Sequence, residues 1–339
     1  MPRPTDLSSL EALRARSILR LADLSAAEIT SLIALARTLK SDYASFRGIL
    51  AQRSLVMLFE KPSLRTRVSF ELGFQKLGGS VTFLDHRNEL IGAREPVADY
   101  GRVLDRWCDV IVARVFEHRT LTELRDSCRV PIVNALSEIA HPCQALADAL
   151  TLAEHLGAHG TKLESMHLAW FGDGNNVCLS LMELTALMGG RMTVITPASH
   201  RPCAKLTAEI QAIAAKSGAT ITLTEDPSAI KGAHAVYTDA WISMGQKECP
   251  EKIAALRKLT VNPEIMQLAG AQAKFMHCLP AHRGEEVTDA VIDGPKSIVY
   301  DQAENRMHAQ NALMLALLGA VPASRGIHAI PVEILTHNR

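Results

Sequence analysis

Aromatic residues make up only 4% of this 339-residue chain, too few to supply the stacking platforms that single-stranded nucleic acid requires. Neither charge is in excess, with 36 Lys and Arg against 36 Asp and Glu. General polyanion binding is therefore not expected and no nucleic-acid partner is assigned, although a local basic pocket stays open. Seven cysteines (Cys108, Cys128, Cys143, Cys178, Cys203, Cys249 and Cys278) lie scattered without paired spacing, a pattern of reduced thiols rather than a disulfide framework. The opening MPRPTDLSSLEALRARS has no apolar core of signal-peptide length. No uncharged apolar run reaches the ~18 residues of a membrane span. A soluble cytoplasmic protein without a membrane partner is the expectation.

What is present points to an α/β protein. Hydrophobic residues at 47% and charged residues at 21% suit a sizeable buried core, and the length suggests two domains of about 150 residues each. Strand and helix signals alternate, which predicts doubly wound parallel sheets. Ser25 and Glu28 form a capping box before a helix with Ile29, Leu32, Ile33, Ala36 and Leu39 at helical spacing. Leu55–Phe59 reads as a buried strand, with a helix from Thr66 to Leu77 behind it. Further strands are expected at 80–84, 109–113, 131–134, 167–171, 192–195, 220–224, 234–238, 274–277 and 297–300. A long helix runs from His141 to Leu156 and a last one from about Asp301 to Leu318. No flexible linker is visible, so the two halves are expected to be joined by helices around a cleft, with ligands at the strand ends.

Six turns carry chemistry. In FEKPSLRTR (59–67) a strand meets a helix start, where free N–H groups, the Ser63 and Thr66 hydroxyls and the Arg65 fork favour an anion. Taken alone, such a cluster is also an ordinary helix cap with solvated arginines. Arg114 ends a strand facing the same crevice. His141 and Gln144 in HPCQ share one face of a helix start, suited to polarising a carbonyl and binding an amino group. Asp148 reads as a charge on that helix's outer face. GDGNN (172–176) is half a dinucleotide fingerprint, so its asparagines fit a small ligand better than a nicotinamide cofactor. In DAWISMG (239–245), Asp239 and Ser243 suit an ammonium group and a backbone N–H near Met244 suits a carboxylate; an ordinary turn is the alternative. HCLPAHRGEE (277–286) places Cys278 at a strand end with no adjacent base, and Arg306 lies on the last helix. No second histidine or carboxylate joins His141 at ligand spacing, so no metal is assigned.

Their order is more specific than any one of them. FEKPSLRTR, HPCQ, GDGNN, DAWISMG, HCLPAHRGEE and QAENRMH resemble the aspartate/ornithine carbamoyltransferase family over about residues 20–320, and the Asp-x-x-x-Ser-Met-Gly and His-Cys-Leu-Pro motifs resemble its ornithine branch. The resemblance implies two doubly wound domains with the active site in the cleft between them. Residues 1–145 would bind carbamoyl phosphate, with the last helix (about 302–322) packing back on them, and 146–301 would bind ornithine. It implies transfer of the carbamoyl group to the side-chain amine of L-ornithine, giving citrulline, in a cytoplasmic trimer or multiple of trimers serving arginine metabolism without a cofactor. Carried over by motif, Ser63, Leu64, Arg65, Thr66, Arg114, His141, Gln144 and Arg306 would hold carbamoyl phosphate. Asn176 (with Asn175 as second choice), Asp239, Ser243, Met244, Cys278 and Leu279 would hold ornithine. Thr66, Arg114, His141 and Cys278 would act on the reacting atoms.

Two positions depart from the family pattern. Leu64 stands where a threonine is common, and Leu90 where many ornithine enzymes carry a glutamine in the loop that crosses to a neighbour. Leucine cannot donate to phosphate, so the grip should rest on Ser63, Arg65, Thr66 and Arg114. Transfer to another amine (N-acylornithine, putrescine or aspartate) is the alternative within the family. A Rossmann-type oxidoreductase and a non-catalytic relative are the alternatives outside it.

Overall fold

A computed structural model describes residues 7–157, 160, 162–242 and 249–322. Four apolar segments, β1 (Ser54–Phe59), β2 (Ser80–Asp85), β3 (Val110–Arg114) and β4 (Ile132–Leu136), pair in parallel in the order β2-β1-β3-β4. Five more, β5 (His167–Phe171), β6 (Arg191–Ile195), β7 (Thr220–Thr224), β8 (Ala235–Thr238) and β9 (Lys274–His277), form a second parallel sheet in the order β7-β6-β5-β8-β9. The central strands are near-continuous apolar runs because helices cover both faces; all five residues of β3 and of β5 are buried. Each sheet reverses its strand order once, between β1 and β3 and between β5 and β8. A crevice opens at the carboxyl ends of such a pair.

Helices join the halves. Pro142–Gly157 leads from the first sheet toward the second, and Val299–Leu317 returns from the second to pack on Ala26–Ser41, Leu64–Lys76 and Pro142–Gly157. One apolar cluster runs through both sheets, from Leu55 and Met57 through Leu146 and Leu313 to Leu168 and Trp170. The capping box is present: Ser25 Oγ accepts from Glu28 N–H, and Glu28 accepts from Ser25 N–H at 2.7 Å. No described helix is long and apolar enough to cross a membrane.

The expected strand at 297–300 is not formed. Ser297 makes a single parallel bridge to Phe275, and the chain then turns into the last helix at Val299. Ile298 and Val299 are apolar because they sit in the core under that turn, and over four residues such a run has the same pattern as a buried strand.

The N-terminal segment is latched to the second half through Glu183, which is buried on the helix Asn176–Met188. Its carboxylate accepts from Arg20 at 2.7 Å and from the Leu21 and Ala22 N–H groups at 3.0 and 3.3 Å. Glu183→Ala strands the two buried backbone donors and leaves Arg20 with only Glu209, at 2.9 Å, and should cost about 2–4 kcal/mol in chemical denaturation. A midpoint unchanged from wild type would show the latch carries no stability.

Candidate active site

The first crevice gathers positive charge. β1 and β3 lie side by side with Phe59 opposite Arg114, so the loop after β1 and the end of β3 share one mouth. Ser63 caps the helix Leu64–Lys76, its Oγ accepting from Thr66 N–H at 3.2 Å; the cap and the anion loop are the same residues. Arg306 reaches in from the last helix and donates to Thr66 Oγ1 at 2.9 Å and to Gln144 Oε1 at 2.6 Å. Arg114 and Arg306 are both buried. Neither they nor Arg65 pairs with a carboxylate among the described residues, and Arg114 Nε and Arg306 Nε lack hydrogen-bond partners there. Burial first, then Arg306 and Arg65, push the Arg114 guanidinium down to about 10. Lys61, held over the Phe116 ring at 4.5 Å, is lowered by burial and then by Arg114. Two buried acids lie near the crevice: Glu60 is spent on the Ile91 and Phe116 N–H groups at 3.0 and 2.7 Å, and Asp148 accepts from Gln144 and Gln302.

His141 sits just before the helix Pro142–Gly157, with its N–H donating to Ser180 Oγ of the second half at 2.8 Å. Burial, Arg306 and Arg114 hold its imidazole well below the usual histidine range. It is therefore neutral at physiological pH, able to donate one N–H, and its Nδ1 has no hydrogen-bond partner among the described residues.

The second crevice, at the ends of β5, β8 and β9, carries negative charge and amides. Asp239 Oδ1 accepts from the Cys278 thiol at 3.0 Å and Oδ2 from Asn175 Nδ2 at 2.8 Å. Asn175 also caps the helix Asn176–Met188, accepting from Val177 and Cys178 N–H. Asn176 donates to the Ser137 carbonyl at 2.6 Å, across to the first half. Asn175 is thus the asparagine tied to Asp239, and Asn176 the one tied to the phosphate side. Leu279, at φ 59 in the left-handed region, donates its N–H to His277 Nδ1 at 2.8 Å. Ser243 and Met244 lie outside the described residues.

Burial, then Asp239, push the Cys278 thiol far up. That disfavours a thiolate nucleophile. Asp239, His277 and Cys278 bring ligand atoms within 4.8 Å of one another. Both His277 nitrogens are engaged, however, by Leu279 N–H and by Glu286 at 3.2 Å. The glycines of GDGNN serve backbone packing: Gly172 has φ +126, and a Cβ on Gly174 would lie 2.2 Å from Pro202 N. That accounts for the half-fingerprint without a dinucleotide.

Asp148 departs from its expected place on an outer helix face. It is 0% exposed, in a polar seam between Pro142–Gly157 and Val299–Leu317. Gln144 and Gln302 both donate to its Oδ1, at 2.8 and 2.7 Å. Tyr237 carried no motif signal; Gln302 and Lys61 lay within motifs without an assigned role, and Asn175 was the second choice to Asn176. Leu64 is 74% exposed and Leu90 45% exposed, so neither side chain enters the crevice of its own chain.

Fold and site together define a class: two doubly wound α/β halves whose cleft sets a basic crevice, with guanidiniums that no described carboxylate pairs, against one built of a carboxylate, a thiol and amides. The family model for the carbamoyl-P binding domain of aspartate/ornithine carbamoyltransferases matches residues 16–154, and that for the Asp/Orn binding domain matches 164–317. An ornithine carbamoyltransferase of Shewanella oneidensis is 50% identical over 306 residues, covering 89% of this chain and 99% of that protein. One from Synechocystis is 45% identical over 317 residues, 92% and 99% of the two chains. The ornithine carbamoyltransferase of Pyrococcus furiosus has a similar structure (TM-score 0.86, 41% identity, 91% of this chain and 99% of that one). This chain belongs to the aspartate/ornithine carbamoyltransferase family.

Burial raises the Asp148 carboxyl from its ordinary 3.8 to about 7, against the pull of Gln144 and Gln302. A folded value above the unfolded one favours the protonated fold. Asp148 therefore contributes stability in full below about pH 4, and loses it as pH rises through about 7. Asp148→Asn cannot titrate, so its melting temperature minus that of wild type should be more positive at pH 8 than at pH 5. A difference independent of pH would contradict this.

Proposed function

We propose that this chain transfers the carbamoyl group of carbamoyl phosphate to the side-chain amine of L-ornithine, giving citrulline and phosphate. The observation that carries the reading is the buried Arg114 and Arg306 beside Arg65, charges that no described carboxylate neutralises and that a phosphate dianion would. Ser63, Arg65, Thr66 and Arg114 bind the phosphate, with Leu64 contributing only its backbone N–H at the helix start. His141, Gln144 and Arg306 hold the carbamoyl group. Asn176, Asp239, Ser243, Met244, Cys278 and Leu279 take the amino acid, with Asn175 supporting Asp239.

The neutral amine attacks the carbamoyl carbon, a tetrahedral oxyanion forms, and phosphate leaves. Thr66, Arg114 and neutral His141 are donors fixed in place before charge develops, which is where pre-aimed groups contribute most. Asp239 and the protonated Cys278 orient the amine, turning a bimolecular step into an aligned one.

The halves divide as 1–145 for carbamoyl phosphate, rejoined by the last helix (about 302–322), and 146–301 for ornithine. The assembly is a trimer or a multiple of trimers. Leu64, Val68 and Leu72 support a partner surface, since they lie exposed at i, i+4 and i+8 on one helix face. Arginine metabolism in the cytoplasm is the setting.

The test is citrulline formation from carbamoyl phosphate with a panel of amines. Turnover should appear with ornithine, rise above neutral pH as the amine loses its proton, and fall by well over about tenfold in Arg65→Ala, because charged contacts to phosphate are worth several kcal/mol. Turnover with putrescine or aspartate but not ornithine would overturn the substrate. Arg65→Ala activity within about tenfold of wild type would overturn the anion loop.

A further inference from the structure

Carbamoyl phosphate and acetyl phosphate differ at one place: an NH2 stands where the other has a methyl. An enzyme distinguishes the two by offering that NH2 an acceptor, which a methyl would leave unpaired. Gln144 is the side chain whose polarity decides this, because an amide presents an oxygen or an NH2 depending on which way it is turned.

Two neighbours set the direction. Gln144 Nε2 donates to Asp148 Oδ1 at 2.8 Å, and Gln144 Oε1 accepts from Arg306 at 2.6 Å. The reversed amide would set NH2 against the Arg306 guanidinium and its oxygen against Asp148 Oδ1, the oxygen that already accepts from Gln302. Arg306, however, is itself a ligand-holding group. Once its N–H groups turn to the substrate, Asp148 is the contact that still fixes the amide. Gln144 and Asp148 are one turn apart on the same helix face, so the hold is short and local.

Asp148 is itself fixed from the other half. Gln302 Nε2 donates to the same Oδ1 at 2.7 Å and to the Tyr237 hydroxyl at 2.8 Å, while Gln302 Oε1 accepts from His277 N–H at 3.0 Å. Every atom of the Gln302 amide is engaged, so it cannot flip to release Asp148. The orientation of the Gln144 amide thus traces back to the end of β9, next to Cys278.

We propose that Asp148 is a positioning residue for substrate selection: it holds Gln144 with Oε1 toward the carbamoyl NH2 and thereby makes the site prefer carbamoyl phosphate over acetyl phosphate. This rests on the transferase reading given above. If wild type forms no citrulline, that reading fails; if wild type is active but selection ignores Asp148, only this inference fails.

The experiment measures KM for carbamoyl phosphate and the competitive inhibition constants of acetyl phosphate and inorganic phosphate. The enzymes are wild type, Asp148→Leu and Asp148→Asn. Asp148→Leu removes the acceptor, so KM for carbamoyl phosphate should rise about tenfold or more while the other two constants stay within about threefold. Asp148→Asn keeps an oxygen for both amides and should restore the preference to within about threefold of wild type. A merely structural role would weaken all three anions alike. That result, an unchanged preference in Asp148→Leu, or an equal loss in Asp148→Asn would each overturn the proposal. Should Asp148→Leu lack a melting transition, Asp148→Val is read in the same way.

Discussion

Burying a guanidinium without a carboxylate is costly, because desolvation is repaid only by an opposite charge in good geometry. This protein buries two, Arg114 and Arg306, brings Arg65 and Lys61 near them, and keeps Glu60 occupied with backbone donors. Much of the architecture can be understood as what holds such a cluster together. Arg114 is fixed at the end of a strand with two paired neighbours. Arg306 is fixed on a long helix packed against three others. Cations on mobile loops would move apart to be solvated; on these elements they stay, leaving a site whose charge an anion completes.

The second demand is that two crevices face each other at a workable distance. The helices Pro142–Gly157 and Val299–Leu317 meet this by crossing between the sheets along a polar seam rather than a purely apolar one. One turn along, Asn305 makes a separate set of bonds across the same pair of helices, donating to Thr151 and Glu154 at 2.9 and 2.8 Å. Hydrogen bonds have direction where apolar contacts do not, so the seam sets the register of the helices as well as their separation. His141 to Ser180 and Asn176 to Ser137 tie the mouths of the two halves together in the same directional way.

Much of this was legible in the sequence. A continuous apolar run such as Leu55–Phe59 admits few structures in an alternating α/β chain, and the loop after it announced a helix start. Five of the six turns place described polar residues (Ser63, Arg114, Asn175, Asp239 and Cys278) at the carboxyl ends of β1, β3, β5, β8 and β9, as the parallel-sheet pattern implied. Tertiary choices were harder to see. Nothing local says that Arg306 meets Gln144, which lies 162 residues away. The sequence pattern puts Asp148 on the outer face because periodicity marks which helix face is apolar, not whether the other face meets water. Here that face meets another helix. The run at 297–300 misled for a related reason: a buried helix start and a buried strand look alike over four residues.

Guanidiniums that no described carboxylate pairs should form a site for a phosphate dianion before any amine is present. Calorimetric titration of carbamoyl phosphate into the protein without amine tests it most directly. Binding should be saturable at one site per chain, displaced by inorganic phosphate and lost in Arg114→Met. Absence of saturable binding, or binding that inorganic phosphate does not displace, would contradict it.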